Sequence, residues 1–220
     1  MIRCTPAPSA RFALALIAAC VLAREPSTFA ADAPPSGAQA LTELAATIRS
    51  RPAAERIDVV LRSGGVERKE SITLATRPPN DARLEFGPYV VWITERFVRV
   101  IHEQDMKGFF EVPVVSGGAL ETLDSLFPPL PVPQLALFLT PPGKPIELTA
   151  YCRNVSWTAS APIATAKGVR QEWTGRGPRV QARLETLDGR VARFTIRADD
   201  EQEIEVTSTP LPDVKIDQTM

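Results

Sequence analysis

Hydrophobic positions recur along this chain with two different periods. Leu41, Leu44, Ala45 and Ile48 keep the i, i+3, i+4, i+7 spacing of one helix face. Ser36 ahead of them suits a cap, with Gln39 three positions on, and Pro52 ends the run. From Ile57 the period falls to two: Ile57, Val59 and Leu61 alternate with Asp58, Val60 and Arg62 until Gly64-Gly65 turns the chain. A second strand follows, with Val66, Arg68, Glu70, Ile72 and Leu74 on one face.

The Arg77-Pro78-Pro79-Asn80-Asp81 knot interrupts this pattern. Leu84 and Phe86, "YVVWIT", "RFVRVIHE" and "KGFFEVPV" come next, each long enough for one strand and separated by short turns. Val90, Val91, Trp92 and Ile93, then Val98, Val100 and Ile101, are apolar on both faces, which predicts an apolar cover over the second face. The covering candidate is the interruption from 116 to 145. Leu120, Leu123, Leu126 and Phe127 suit one short helix, and the proline-bounded "PQLALFL" suits another. Strands are expected again at 146–151, 169–174, 180–186, 190–198 and 203–208, with Asp188-Gly189 and "ADDEQE" as hairpin turns. The sum is a mainly β chain of roughly ten antiparallel strands, with one N-terminal helix and a helical insertion.

The first thirty residues change the picture of what matures. Arg3 and Arg11 precede an apolar run from Phe12 to Ala23 and the small-residue stretch "PSTFAADA", the pattern of an export signal cleaved after Ala30. A competing reading takes Ile17-Ala18-Ala19-Cys20 as a lipoprotein signal, with Cys20 acylated and the protein membrane-anchored. Residues 31–35 then form a short lead and 36–220 a single domain. Loss of Arg3, Arg11, Arg24 and Glu25 turns a formal charge of −1 into about −3, and nothing asks for nucleic acid. Cys152 is the one cysteine left, so a mature monomer has no internal disulfide.

Chemistry-bearing groups are sparse. His102 is the sole histidine, and no Gly-x-Ser-x-Gly element accompanies it. Cys152 has no CxxC partner, the Asp199-Asp200-Glu201 run lacks calcium-loop spacing, and neither Gly64-Gly65 nor Gly117-Gly118 extends into a phosphate loop. No enzyme, metal or cofactor is expected. The alternating Arg179, Arg183, Glu185, Arg193 and Arg197 suit cross-strand charge pairs. Trp157 suits the core, while Trp92 and Trp173 suit either core or cavity.

The order of elements, with "TRPPNDARLEF" followed by the hairpin "VVWITERFVRVI" and an inserted helical segment, resembles the LolA/LolB-like superfamily of periplasmic lipoprotein carriers and receptors. Thr94-Glu95-Arg96 stands where that family often has an Asp-Gly turn. The resemblance implies an incomplete antiparallel half-barrel with helices over its concave, apolar face. It also implies a cargo, an acyl chain or a lipoprotein's lipid moiety, and a membrane-bound donor or acceptor protein. Cavity and lid residues would then be Leu41, Leu44, Ile48, Leu84, Phe86, Val91, Trp92, Ile93, Leu120, Leu123, Leu126, Phe127, Leu135, Leu137 and Phe138. Arg77 would be the arginine that bonds to the lid and latches the empty state. Parity along the strand puts Thr76 with Ile72 and Leu74, so that role needs a bulge at the prolines. A scaffold or sensor module of the same fold, contacting a protein partner without a lipid cycle, is the alternative.

Overall fold

A computed structural model describes residues 36–105, 108–199 and 201–212. The expected signal at 1–30, the lead at 31–35 and Cys20 lie outside the described residues. Helix α1 spans Gly37–Arg49, with the Ser36 hydroxyl accepting from the Gln39 N–H as the sequence predicts.

Six strands then run in meander order: β1 (Ala53–Ser63), β2 (Val66–Arg77), β3 (Asp81–Phe86), β4 (Tyr89–Ile93), β5 (Phe97–His102) and β6 (Phe110–Pro113). The insertion supplies α2 (Ala119–Leu126) and α3 (Pro133–Leu139). After it come β7 (Ser156–Ala159), β8 (Ile163–Thr165), β9 (Gly168–Arg176), β10 (Val180–Leu187), β11 (Arg190–Ala198) and β12 (Glu203–Pro210). All twelve join one antiparallel sheet in the order β6-β5-β4-β3-β2-β1-β12-β11-β10-β9-β7, with β8 also on β9. The sheet is not closed. β1 therefore sits at the middle, and the chain returns to it only at β12.

Two hairpins need both central residues at positive φ, and both have it. Gly64 and Gly65 lie at 55° and 80°, and Asp188 and Gly189 at 51° and 71°, the backbone of the two-residue turn that matches strand twist. The strand count exceeds expectation because 156–165 pairs with β9. Residues 146–151, expected as a strand, do not form one. The β9 edge is already taken by β7 and β8, and this segment instead tucks Leu148 and Cys152 into the core through a 3-10 turn at Ala150–Cys152.

Cross-strand rows define the inner face. Trp173, Leu184, Phe194, Val206 and Val59 are successive neighbours across five strands, and Leu74, Leu84, Val91 and Val100 across four more. The helices cover this face, and the core is continuous from α1 through the sheet to α3. The outer face is a charge ladder. Arg62 pairs with Glu67, Glu203 and Glu205, Arg197 with Glu203, and Arg183 with Glu172 and Glu185. These exposed pairs keep the face soluble and contribute little each to stability.

Candidate functional site

The insertion packs on the sheet's inner face, with Leu84, Val91 and Ile93, rather than over the second face for which the sequence predicts a cover. Leu41, Leu44, Leu84, Val91, Ile93, Leu123, Leu135, Leu137 and Phe138 are buried in one cluster, and Ile48, Phe86, Leu120, Leu126 and Phe127 pack against it. Every residue of α3 is buried, because the helix lies between sheet and α1 rather than on a surface. Pro133 opens it, where a missing N–H costs nothing, and Pro141 follows its cap at Thr140. Phe127, at the end of α2, stands edge-on to Phe86 and Tyr89 at 5.1 and 5.3 Å, closing the far side of the same face.

Two expected members of the site lie elsewhere. The pairing of β2 with β3 runs without a shift through Thr76 to Ala82 and Arg77 to Asp81. Thr76 is accordingly buried inward, and Arg77 turns to the outer face, where it pairs with Asp81. The bulge that would have turned it inward does not occur, so the latch expected of Arg77 is not formed. Trp92 pairs with Arg83 in register, shares that outer face, and lies half-buried 5.2 Å beneath the Arg83 guanidinium. At Trp92 an arginine, rather than a second layer, thus covers an apolar outer position of β4. Arg77→Ala should lower stability by less than about 1 kcal/mol, since both partners are over a third exposed. A thermal melt differing by several degrees from the parent would contradict that.

The arginine that does reach the insertion is Arg49, at the end of α1. Its Nη1 donates to the Thr140 carbonyl at 3.0 Å and its Nε to the Ala45 carbonyl at 3.1 Å, a cation at the carbonyl end of α3. Burial lowers its pKa from the ordinary guanidinium value.

A polar group beneath α3 escaped the sequence reading. Glu55 is only 6% exposed on the inner face, in line with Ile57 and Val59. Its Oε2 accepts from Ser208 Oγ at 2.8 Å and from Gln134 Nε2, on α3, at 3.3 Å. The signal was available: β1 begins at Ala53, and the two-residue period carried back from Ile57 lands on Glu55. Gln134 is likewise the one polar residue in "PQLALFL". The space beside this group, bounded by Thr76, Leu74, Ala53, Ile48 and Val191, offers about 20 Å³ to the centre of a water-sized sphere, room for roughly one water.

The remaining titratable candidates have structural roles. His102 packs edge-on to Tyr89 at 5.3 Å, and its Nδ1 accepts the Gln104 N–H at 3.3 Å. Among the described residues, no three His, Cys, Asp or Glu side chains gather to hold a metal. Burial pushes the Cys152 thiol up to about 11 from a usual 9.0. A raised folded pKa stabilises fully below the unfolded value and is lost as pH climbs through the folded one. Stability should therefore fall by roughly 2 to 3 kcal/mol between pH 9 and about 11. Cys152→Ala should flatten that part of the curve in denaturant titrations, and an unchanged alkaline slope would refute the assignment.

No family model matches the sequence, and no curated protein matches it. Solved structures similar to this chain include a LolA superfamily protein from Nitrosomonas europaea, at 7% identity and a TM-score of 0.39 over 82% of this chain and 96% of that one. A DUF1329 family protein from Desulfovibrio piger is similar at 8% identity and a TM-score of 0.35, over 83% and 96% of the two chains. The MucA/MucB complex of Pseudomonas aeruginosa contains a chain similar at 12% identity and a TM-score of 0.38, over 79% of this chain. This chain spans about half of that one, 55%. At these identities and TM-scores the likenesses carry neither a role nor an activity across to this chain.

Proposed function

We propose that this chain is an exported binding protein for an acyl chain or a lipoprotein's lipid moiety, with α2 and α3 as a lid that yields the inner face to the ligand. One observation carries this reading. A seven-residue, wholly buried helix fills the inner face without pairing to any strand, between the proline-broken segments 127–132 and 141–149. Dispersion and burial hold it, and these forces have no directional requirement. Its side-chain bonds to the rest of the fold are few, chiefly Gln134 to Glu55 and Arg49 to the Thr140 carbonyl.

An acyl chain on the same face would gain about 0.8 kcal/mol per buried methylene. Displacing the lid gives up contacts of the same kind, so net affinity is the difference and cargo can be released. No chemistry beyond binding is needed, and export would follow from the signal pattern at 1–30. Mass spectrometry of organic extracts from detergent-free protein, with displacement of a fluorescent fatty acid, tests the reading. Lipid in the extract and displaceable probe are expected; neither being found would sink it.

A second reading, a module that docks a protein partner, is favoured by one feature. Among the described residues strand β6 has no further strand on its outer side, and its Phe110, with Phe109 just before it, is 59% exposed, as is Phe109. Under that reading Phe110→Ser abolishes partner capture and leaves probe binding intact.

A further inference from the structure

The polar group beneath α3 is incompletely satisfied. Glu55, Thr76 and Gln134 are each more than nine-tenths buried, and all three border the water-sized space. Thr76 Oγ1 and Gln134 Oε1 have no hydrogen-bond partner. The partners of Glu55, Gln134 and Ser208, are neutral, and among the described residues no cationic nitrogen lies within 4.0 Å of its carboxylate. A buried carboxylate without a counter-charge and orphaned oxygens around one cavity are both costly. The Glu55 carboxylate and Gln134 Oε1 offer acceptors only, and Thr76 Oγ1 can accept as well as donate.

The mouth has the opposite character. Arg51 and Arg190 border it, beside Gly189 of the β10–β11 turn, and Arg51 donates to the Asp188 carbonyl at 2.7 Å. A bare cation approaching from solvent would meet two guanidinium groups before reaching the acceptors. A cation that carries its own anion would not be repelled.

We propose that this space is a seat for a primary ammonium with a phosphate or carboxylate about two carbons away, as in an ethanolamine phosphate group. The ammonium, about the size of a water, donates its three N–H bonds to Glu55, Gln134 Oε1 and Thr76 Oγ1. The anion rests at the mouth on Arg51 and Arg190. Entry is from the mouth, so the seat does not require α3 to leave the sheet. Because Gln134 belongs to α3, the seat exists only while α3 stays in place, and an acyl chain that displaces α3 would remove it. The same chemistry is offered by a soluble compound and by a lipid head group whose chains stay in a bilayer.

Calorimetric titration of the full chain with phosphoethanolamine and with phosphocholine is the test. The trimethylated head has the same charges but no N–H to donate and is too large for the space. Phosphoethanolamine should bind at least about tenfold more tightly, the usual weight of a charge-assisted hydrogen bond. Glu55→Gln keeps the size of the side chain and should remove the preference. Should that variant fold poorly, Thr76→Val removes a hydroxyl that has no partner, so it should leave the melt unchanged and weaken phosphoethanolamine severalfold. Vesicles with ethanolamine rather than choline head groups separate the sources: retention on the former assigns the seat to lipid, and binding of the soluble compound alone assigns it to a free ligand. Equal affinity for the two compounds, no binding of either, or a preference that survives Glu55→Gln and Thr76→Val would overturn the proposal and leave the cavity a water site.

Discussion

Phe138→Ala should destabilise the protein by about 3 to 5 kcal/mol and yet tighten its grip on an apolar probe. Phe138 has no exposed surface, on a helix packed between α1 and the sheet, so truncation leaves a cavity in the closed form. If ligands bind by displacing α3, the lid-open complex has little use for Phe138 there and loses little. The penalty then falls on the closed state alone. A loss of 3 kcal/mol would raise apparent affinity by up to about a hundredfold, less if opening is already easy. Fluorescent fatty-acid titration beside a denaturant melt gives both quantities. Lower stability with unchanged or weaker probe binding would mean that α3 is permanent core. Phe138→Leu, a milder cut, should move both quantities the same way by smaller amounts.

Gly37→Ala should cost about 3 kcal/mol or more, although alanine is the better helix former. A Cβ at Gly37 would stand 1.8 Å from the Trp157 carbonyl oxygen, 2.2 Å from its carbon and 2.9 Å from the Thr158 nitrogen. These are backbone atoms of β7, which cannot rotate away as a side chain end would. Helix propensity favours alanine by only about 1 kcal/mol, less at a first helical position, whereas forcing α1 off β7 reaches the upper range of overpacking. Gly108→Ala is the matched control: a Cβ there meets nothing within 4 Å, so its melt should match the parent's. Equal melts for the two variants would show that α1 does not seat against β7 as described.

The legibility of the site follows the range of the forces involved. The burial of Leu84, Val91, Leu123 and Phe138 is legible because it imposes period two on strands and a crowded apolar stripe on short helices. Glu55 is hard to read from sequence because the clear apolar alternation begins at Ile57, four residues after the strand starts at Ala53. Arg77 misled for the opposite reason. Its neighbours fitted a family pattern, while the parity of Ile72 and Leu74 already pointed it outward, and an unbroken register with β3 decided the matter.

Local sequence determined the kind of each element: the cap at Ser36, the Gly64-Gly65 and Asp188-Gly189 turns, and the alternation that makes a sheet with one apolar face. These are contacts between near neighbours in the chain, where each residue's own conformational preferences settle the outcome. Tertiary structure decided which arginine meets the insertion and which acceptors share a cavity. Arg49 and Thr140 are 91 residues apart, and Glu55 lies 79 from Gln134 and 153 from Ser208. Such meetings depend on the return of β12 to β1 and on the burial of α3 against the sheet. No short-range propensity encodes them, because their geometry exists only once the whole sheet has closed its loops.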